Sequence, residues 1–109
     1  MASPLNTFRS ITANVTNVAT TVYTCPAETS TIVLLAQVSN IHTSSIANVT
    51  FYSSNSGVVT ELVKNFLIPV GDAASLISGK LVVEAGTSVG IYSNSNNSVK
   101  LTLSILETQ

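Results

Sequence analysis

The chain has one histidine, His42, set beside Thr43, Ser44 and Ser45, and one cysteine, Cys25, set before Pro26. A histidine near hydroxyls could be the base of an acyl-transfer site, with a serine as nucleophile and an acid to orient the ring. That chemistry is a matter of geometry, and serines are so frequent here that nearness in sequence selects none of them. His42 therefore reads as a polar loop residue, and Cys25 as a small apolar side chain at a strand end. One Cys, one His and the scattered carboxylates Glu28, Glu61, Asp72, Glu84 and Glu107 give no zinc spacing and no calcium loop. Gly71, Gly79, Gly86 and Gly90 read as turn glycines, because the "SGK" at 78–80 lacks the upstream glycine of a phosphate-binding loop. Tyr23, Tyr52 and Tyr92 could stack on sugars or bases. Falling on separate strands, they read as sheet-edge residues with their hydroxyls in water. No catalytic residue, no metal ligand and no cofactor site is expected.

The elements that carry these residues follow from composition. At 109 residues the chain is one domain, long enough to hide roughly 65% of its unfolded surface on folding. Hydrophobic residues make up 45% and charged residues only 8%, against a usual charged share of about 25%. Ser, Thr and Asn fill the difference. Such a neutral, hydrogen-bonding surface suits a protein covered by neighbours better than a free monomer. The net charge is −1, from Arg9, Lys64, Lys80 and Lys100 against five carboxylates, so no nucleic-acid partner is expected. No apolar run nears the ~20 residues that span a bilayer, so no membrane partner is expected either. The opening "MASPLNTFRSITANV" does not resemble a secretory signal.

β-branched residues dominate, turns come at short intervals, and no stretch carries a sustained helical stripe. The pattern predicts an all-β chain, an antiparallel β-sandwich (jelly-roll or Ig-like) of about 7–9 short strands. Residues 1–10 are expected to form an extended N-terminal arm, with the sandwich domain over 11–109. "SITANVTNVATTVYTC" gives one or two strands, with Ile11, Ala13 and Val15 on one face. "PAET" at 26–29 is a turn fixed by Pro26. "STIVLLAQVSNI" (30–41) is so apolar that both its faces should be buried. Ala47, Val49 and Phe51 share a face, and "NSG" at 55–57 signals a hairpin with Gly57 at positive φ. The following strand must end or become an edge at Pro69. "DAASLIS" could form one helical turn capped by Asp72. "TSVGIYS" and "SVKLTLSILE" are expected to pair as a hairpin around "NSNN" at 94–97, with Val99, Leu101, Leu103 and Ile105 facing the core. The segment 65–93 thus reads as a strand, a proline break, a crossover between sheets and re-entry.

Apolar residues on both faces of "TIVLLAQV", and Val58, Val59, Leu62 and Val63 split between faces, exceed what one core can hide. They predict an association surface. At this point a resemblance becomes informative. The ordered set "VYTCPAE", "QVSNIHTSS", "KNFLIPVG", "GKLVVEAG" and "SILE", spanning 22–107, resembles short virion structural proteins of tailed bacteriophages, as found in phages of marine bacteria. The sequence departs from the family pattern at Cys25 (commonly valine), Glu28 (usually glycine) and Thr87 (often acidic). The resemblance implies no catalytic residues. It marks Pro69, Gly71, Glu84 and Gly86 as fold-defining positions, of which Pro69, Gly71 and Gly86, with Pro26, are turn residues. It implies a protein made in the host cytoplasm and built into the virion. The partners would be other virion proteins, the major capsid protein foremost, and further copies of itself, a trimer being one arrangement. The leading expectation is a capsid decoration or cement protein. The alternatives are a tail, neck or fibre component, and a carbohydrate- or host-surface-binding module that would use Tyr52 and Tyr92.

Overall fold

The computed structural model describes residues 6–42, 44–94 and 99–109. These form nine strands and no helix: β1 (Asn6–Val15), β2 (Thr20–Thr24), β3 (Ser30–Asn40), β4 (Ala47–Asn55), β5 (Val58–Ile68), β6 (Ala73–Ser75), β7 (Leu81–Val83), β8 (Ser88–Ser93) and β9 (Val99–Thr108). One sheet runs β1-β9-β3-β6, with β7 sharing the β6 edge of β3; the other runs β2-β8-β4-β5. Every pairing is antiparallel, and the pairs nest: β1 with β9, β2 with β8, β3 with β6 and β7, β4 with β5. A long ribbon of paired strands rolled up in this way is a jelly roll.

Alternation, reset once on β3, builds the core from both sheets. Val99, Leu101, Leu103 and Ile105 of β9 are buried, as are Val33, Ala36 and Val38 of β3. They meet Val49 and Phe51 of β4 and Val89 and Ile91 of β8 from the other layer. The β4–β5 hairpin turns at Ser56 (φ 51) and Gly57 (φ 83), where a two-residue turn needs positive φ twice. β5 stops at Ile68, one residue before Pro69, and the chain then leaves the second sheet for β6 in the first. The crossover expected over 65–93 is therefore present.

A buried amide fastens this crossover. Asn40, at 1% exposure, donates from Nδ2 to the carbonyls of Ser45 and Ile68, both at 2.9 Å, and accepts the His42 N–H at Oδ1. Its backbone bonds Asp72 and Gly71. One side chain thus ties the end of β3 to the β3–β4 loop and to the end of β5.

The structure corrects five expectations. Residues 6–10 belong to β1, registered against Ser104–Thr108, because an extended chain beside β9 satisfies its backbone better in a ladder than as a loose arm. Residues 1–5 lie outside the described residues. Residues 73–75 are strand, not a helical turn. They pair with Gln37–Ser39, and Asp72 Oδ1 accepts the N–H of its immediate neighbour Ala73 at 2.8 Å. A ladder alongside β3 offers more bonds than a single isolated turn. β8 and β9 lie in opposite sheets and are not a hairpin, because β2 and β4 flank β8 while β1 and β3 flank β9. Of the loop expected between them at 94–97, residues 95–97 lie outside the described residues.

β3 is not buried on both faces. Ile32 and Leu34 face outward by alternation, and a register shift between Val33 and Leu35 resets the phase so that Ala36 and Val38 face inward after Val33. Gly90, finally, is a mid-strand residue of β8 and not part of a turn.

Candidate interaction surface

The groups that could do chemistry are occupied structurally. The Nδ1 of His42 accepts the backbone N–H groups of Ser44 and Ser45, each at 3.0 Å, while the Ser44 hydroxyl stands off at 3.5 Å. The ring is a loop cap whose lone pair is already engaged. Cys25, 1% exposed, donates its thiol to the Thr29 carbonyl at 3.2 Å. Among the described residues no three of His, Cys, Asp and Glu converge as metal ligands would.

One polar cluster closes an end of the core. The Tyr23 hydroxyl donates to Glu107 Oε2 at 2.5 Å and lies 2.7 Å from the hydroxyl of buried Thr31. Arg9 reaches the same carboxylate oxygen at 3.4 Å. Burial, followed by the bond to Glu107, pushes the Tyr23 hydroxyl up to about 12. Tyr23 is therefore an inward core residue, contrary to the expected edge position with a hydroxyl in water. Its sequence position gives no sign of this, because Glu107 is 84 residues away.

The turn residues singled out from sequence lie at the ends of strands. Pro26 opens the β2–β3 turn, in which Glu28 has φ 60; this is the position where the resembled proteins usually have glycine. Pro69 and Gly71 form the turn closed by Asp72 N–H to Pro69 carbonyl at 3.1 Å, with Gly71 at φ 71. Gly86, at φ 83, occupies the same third position in the turn closed by Thr87 N–H to Glu84 carbonyl. Both match a type II turn, in which that residue needs positive φ. The Gly86 N–H also bonds the Cys25 carbonyl at 3.0 Å, which sets that turn beside Pro26.

What the fold does gather is an outward apolar row. Register places Phe8 opposite Leu106, Leu106 opposite Ile32, and Ile32 opposite Val82. These four residues cross β1, β9, β3 and β7 over about 14 Å. Their neighbours in sequence, Ile105, Val33 and Val83, point into the core, so the row faces out. Phe8 is 74% and Val82 63% exposed. Leu34, on the same side of β3 as Ile32, joins Phe8 across a shallow cleft floored by Ser104. Toward the other end of the same face the rows turn polar: Thr12, Thr102, Gln37 and Ser75, then Asn14, Lys100 and Ser39, with the Lys100 ammonium bonded to Asn14.

The outer face of the second sheet is of another kind. It presents Thr21, Thr24, Ser88, Asn48 and Ser54, and Tyr52 lies flat across Gly90 of the neighbouring strand. That contact leaves Tyr52 only 8% exposed, with Tyr92 tilted against it at 6.3 Å between centroids. The surplus expected from "TIVLLAQV" is present in Ile32 and Leu34. Leu62 and Val63 pack on the core instead, leaving Val58 and Val59 exposed at the hairpin tip. Phe8, Val82 and Leu106 were not identified from sequence, since each is an isolated apolar residue until register aligns them.

No protein-family model and no curated protein matches the chain. Among solved structures it resembles a Bacillus endospore appendage protein of a family of disulfide-linked pili, with TM-score 0.54 and 13% identity over 97% of this chain and 87% of that one. It also resembles a pentameric capsid protein isolated from metagenomic phage sequences, with TM-score 0.47 and 18% identity over 88% of this chain and 59% of that one. At such identities the pilus likeness is one of fold alone.

Proposed function

We propose that this chain is a non-enzymatic structural component of a tailed-phage virion, a self-associating jelly roll that decorates or cements the capsid exterior. The observation that carries the reading is the outward row Phe8–Leu106–Ile32–Val82 with Leu34 beside it. Together these apolar groups expose on the order of 400 Å², the size at which the largest patch on a monomer is often a contact site. A chain with 8% charged residues has little else to keep that face in water. The engaged lone pair of His42 and the buried thiol of Cys25 argue against hydrolytic or thiol chemistry. The resemblance of residues 22–107 to virion proteins supplies the setting, and jelly rolls are common in capsid proteins.

Docking of many copies through a modest apolar face gains strength by multivalency, not by the affinity of one contact. A tail, neck or fibre component is the second reading. It uses the same surface and differs in copy number per particle. A sugar-stacking role for Tyr52 is disfavoured, because its ring is already laid on Gly90.

Electron microscopy of native particles labelled with an antibody to this protein tests the proposal. Label over the head is expected. Label restricted to the tail or neck would favour the second reading, and unlabelled particles would sink both.

A further inference from the structure

Four edges bound the two sheets: β1 and the β6/β7 pair in the first, β2 and β5 in the second. A free edge presents unpaired N–H and C=O groups that another strand can complete. Folded proteins blunt such edges by shortness, bulges, prolines or projecting charge. Three of these four are blunted. β2 has five residues and shifts register between Thr21 and Tyr23. β6 and β7 have three residues each. β5 is long, but it shifts twice against β4, holds Asn65 at φ 56 and exposes Glu61 and Lys64. β1 has none of these protections. Its ten residues pair one-to-one with β9 without a shift, and they include no proline and no lysine. Its one charge, Arg9, reaches back to Glu107 on β9, away from the free edge.

We infer that β1 is a self-pairing edge: two copies of the chain join β1 to β1, antiparallel about a two-fold axis, and run one sheet through both. This deepens the self-association in the reading above by naming its surface. A second copy suits the edge because a two-fold contact must be its own complement, and no unpaired charge lies along β1 to repel its mate. The net charge of −1 adds little long-range repulsion between copies. Opposed residues in an antiparallel pair share a face; with the axis at Thr12, Ser10 meets Asn14 and Thr12 its own mate outside, while half-buried Ile11 and Ala13 face each other inside. The paired stretch of β1 covers less than the ~1,600 Å² of a standard stable interface, so the dimer is concentration-dependent.

Sedimentation of the full chain across a wide concentration range, with amide exchange followed along β1, tests this. The expected result is a reversible dimer, with the β1 amides that do not bond β9 slowing only where the dimer forms. Ser10→Lys with Thr12→Lys places like charges across the axis. It should weaken dimerisation at least tenfold, with partial recovery in salt. Thr60→Lys, on the β5 edge, should leave dimerisation unchanged. A monomer at every concentration overturns the inference, as does a dimer whose β1 amides exchange freely or a folded lysine variant that dimerises like the parent. The exchange measurement uses the unaltered chain and does not depend on the variants folding. Because the assay needs no particle, unlabelled virions would defeat the virion reading without touching this result.

Discussion

The outer faces of the two sheets differ in how completely the chain covers itself. On the second sheet, Tyr52 folds down over Gly90 and Tyr92 leans on it, so the largest outward side chain is buried within its own molecule. On the first, Phe8 and Val82 stand out at opposite ends of one row, exposed among the described residues. The difference lies in the cross-strand neighbour. A glycine opposite an aromatic gives the ring a floor to lie on. A leucine opposite a phenylalanine holds the ring up among other apolar groups. A chain can thus close one face by itself and leave the other for a partner with the same strand architecture on both.

The strongest way to break the comparison is to remove what both faces share. Leu103→Ala truncates a fully buried core side chain and should cost about 2–5 kcal/mol in urea unfolding. A loss below about 0.5 kcal/mol would mean that the odd-numbered side of β9 is not the core. Gly90→Ala attacks the self-covered face alone. Its methyl would fall 2.7 Å from the Thr20 carbonyl oxygen and inside the hydroxyl end of Tyr52. A backbone atom cannot step aside as a side chain can, so a cost of about 1–3 kcal/mol is expected, with increased Tyr52 exposure by fluorescence quenching.

Tyr23 provides a subtler test at the end of the core. Its hydroxyl titrates at about 12 in the folded chain against an ordinary 10.0. The folded state therefore keeps a proton that the unfolded state gives up. The stability linked to this group is complete below pH 10 and is lost as pH rises toward 12. Tyr23→Phe should flatten that part of the pH–stability curve; an unchanged slope would mean that other groups set it. The smallest effect on stability is expected from Phe8→Ser with Val82→Ser, within about 0.5 kcal/mol, because neither side chain packs in the core. The same double variant should cosediment less with native particles. Undiminished binding would remove the apolar row from the proposed docking surface.

Much of this architecture was legible in local sequence. Alternation fixed the inward faces of β9 and of the first half of β4, Ser56-Gly57 made a hairpin, and Pro69 ended β5. Each of these is a property of a residue and its near neighbours. The candidate surface was legible only in part. The run 32–35 announced surplus apolar groups, but Phe8, Leu106 and Val82 became a row only when three pairings aligned them.

The amino-acid order alone determined that this protein is all-β and which side of β9 and of the first half of β4 turns inward. It could do so because side-chain period and turn chemistry are local. Only the tertiary structure decided that β8 and β9 part into opposite sheets, that residues 6–10 join a ladder, and that Gly90 makes room for a ring. Hydrogen-bond partners along a strand edge are chosen by whatever the fold brings alongside, and a period of two names a face without naming a neighbour.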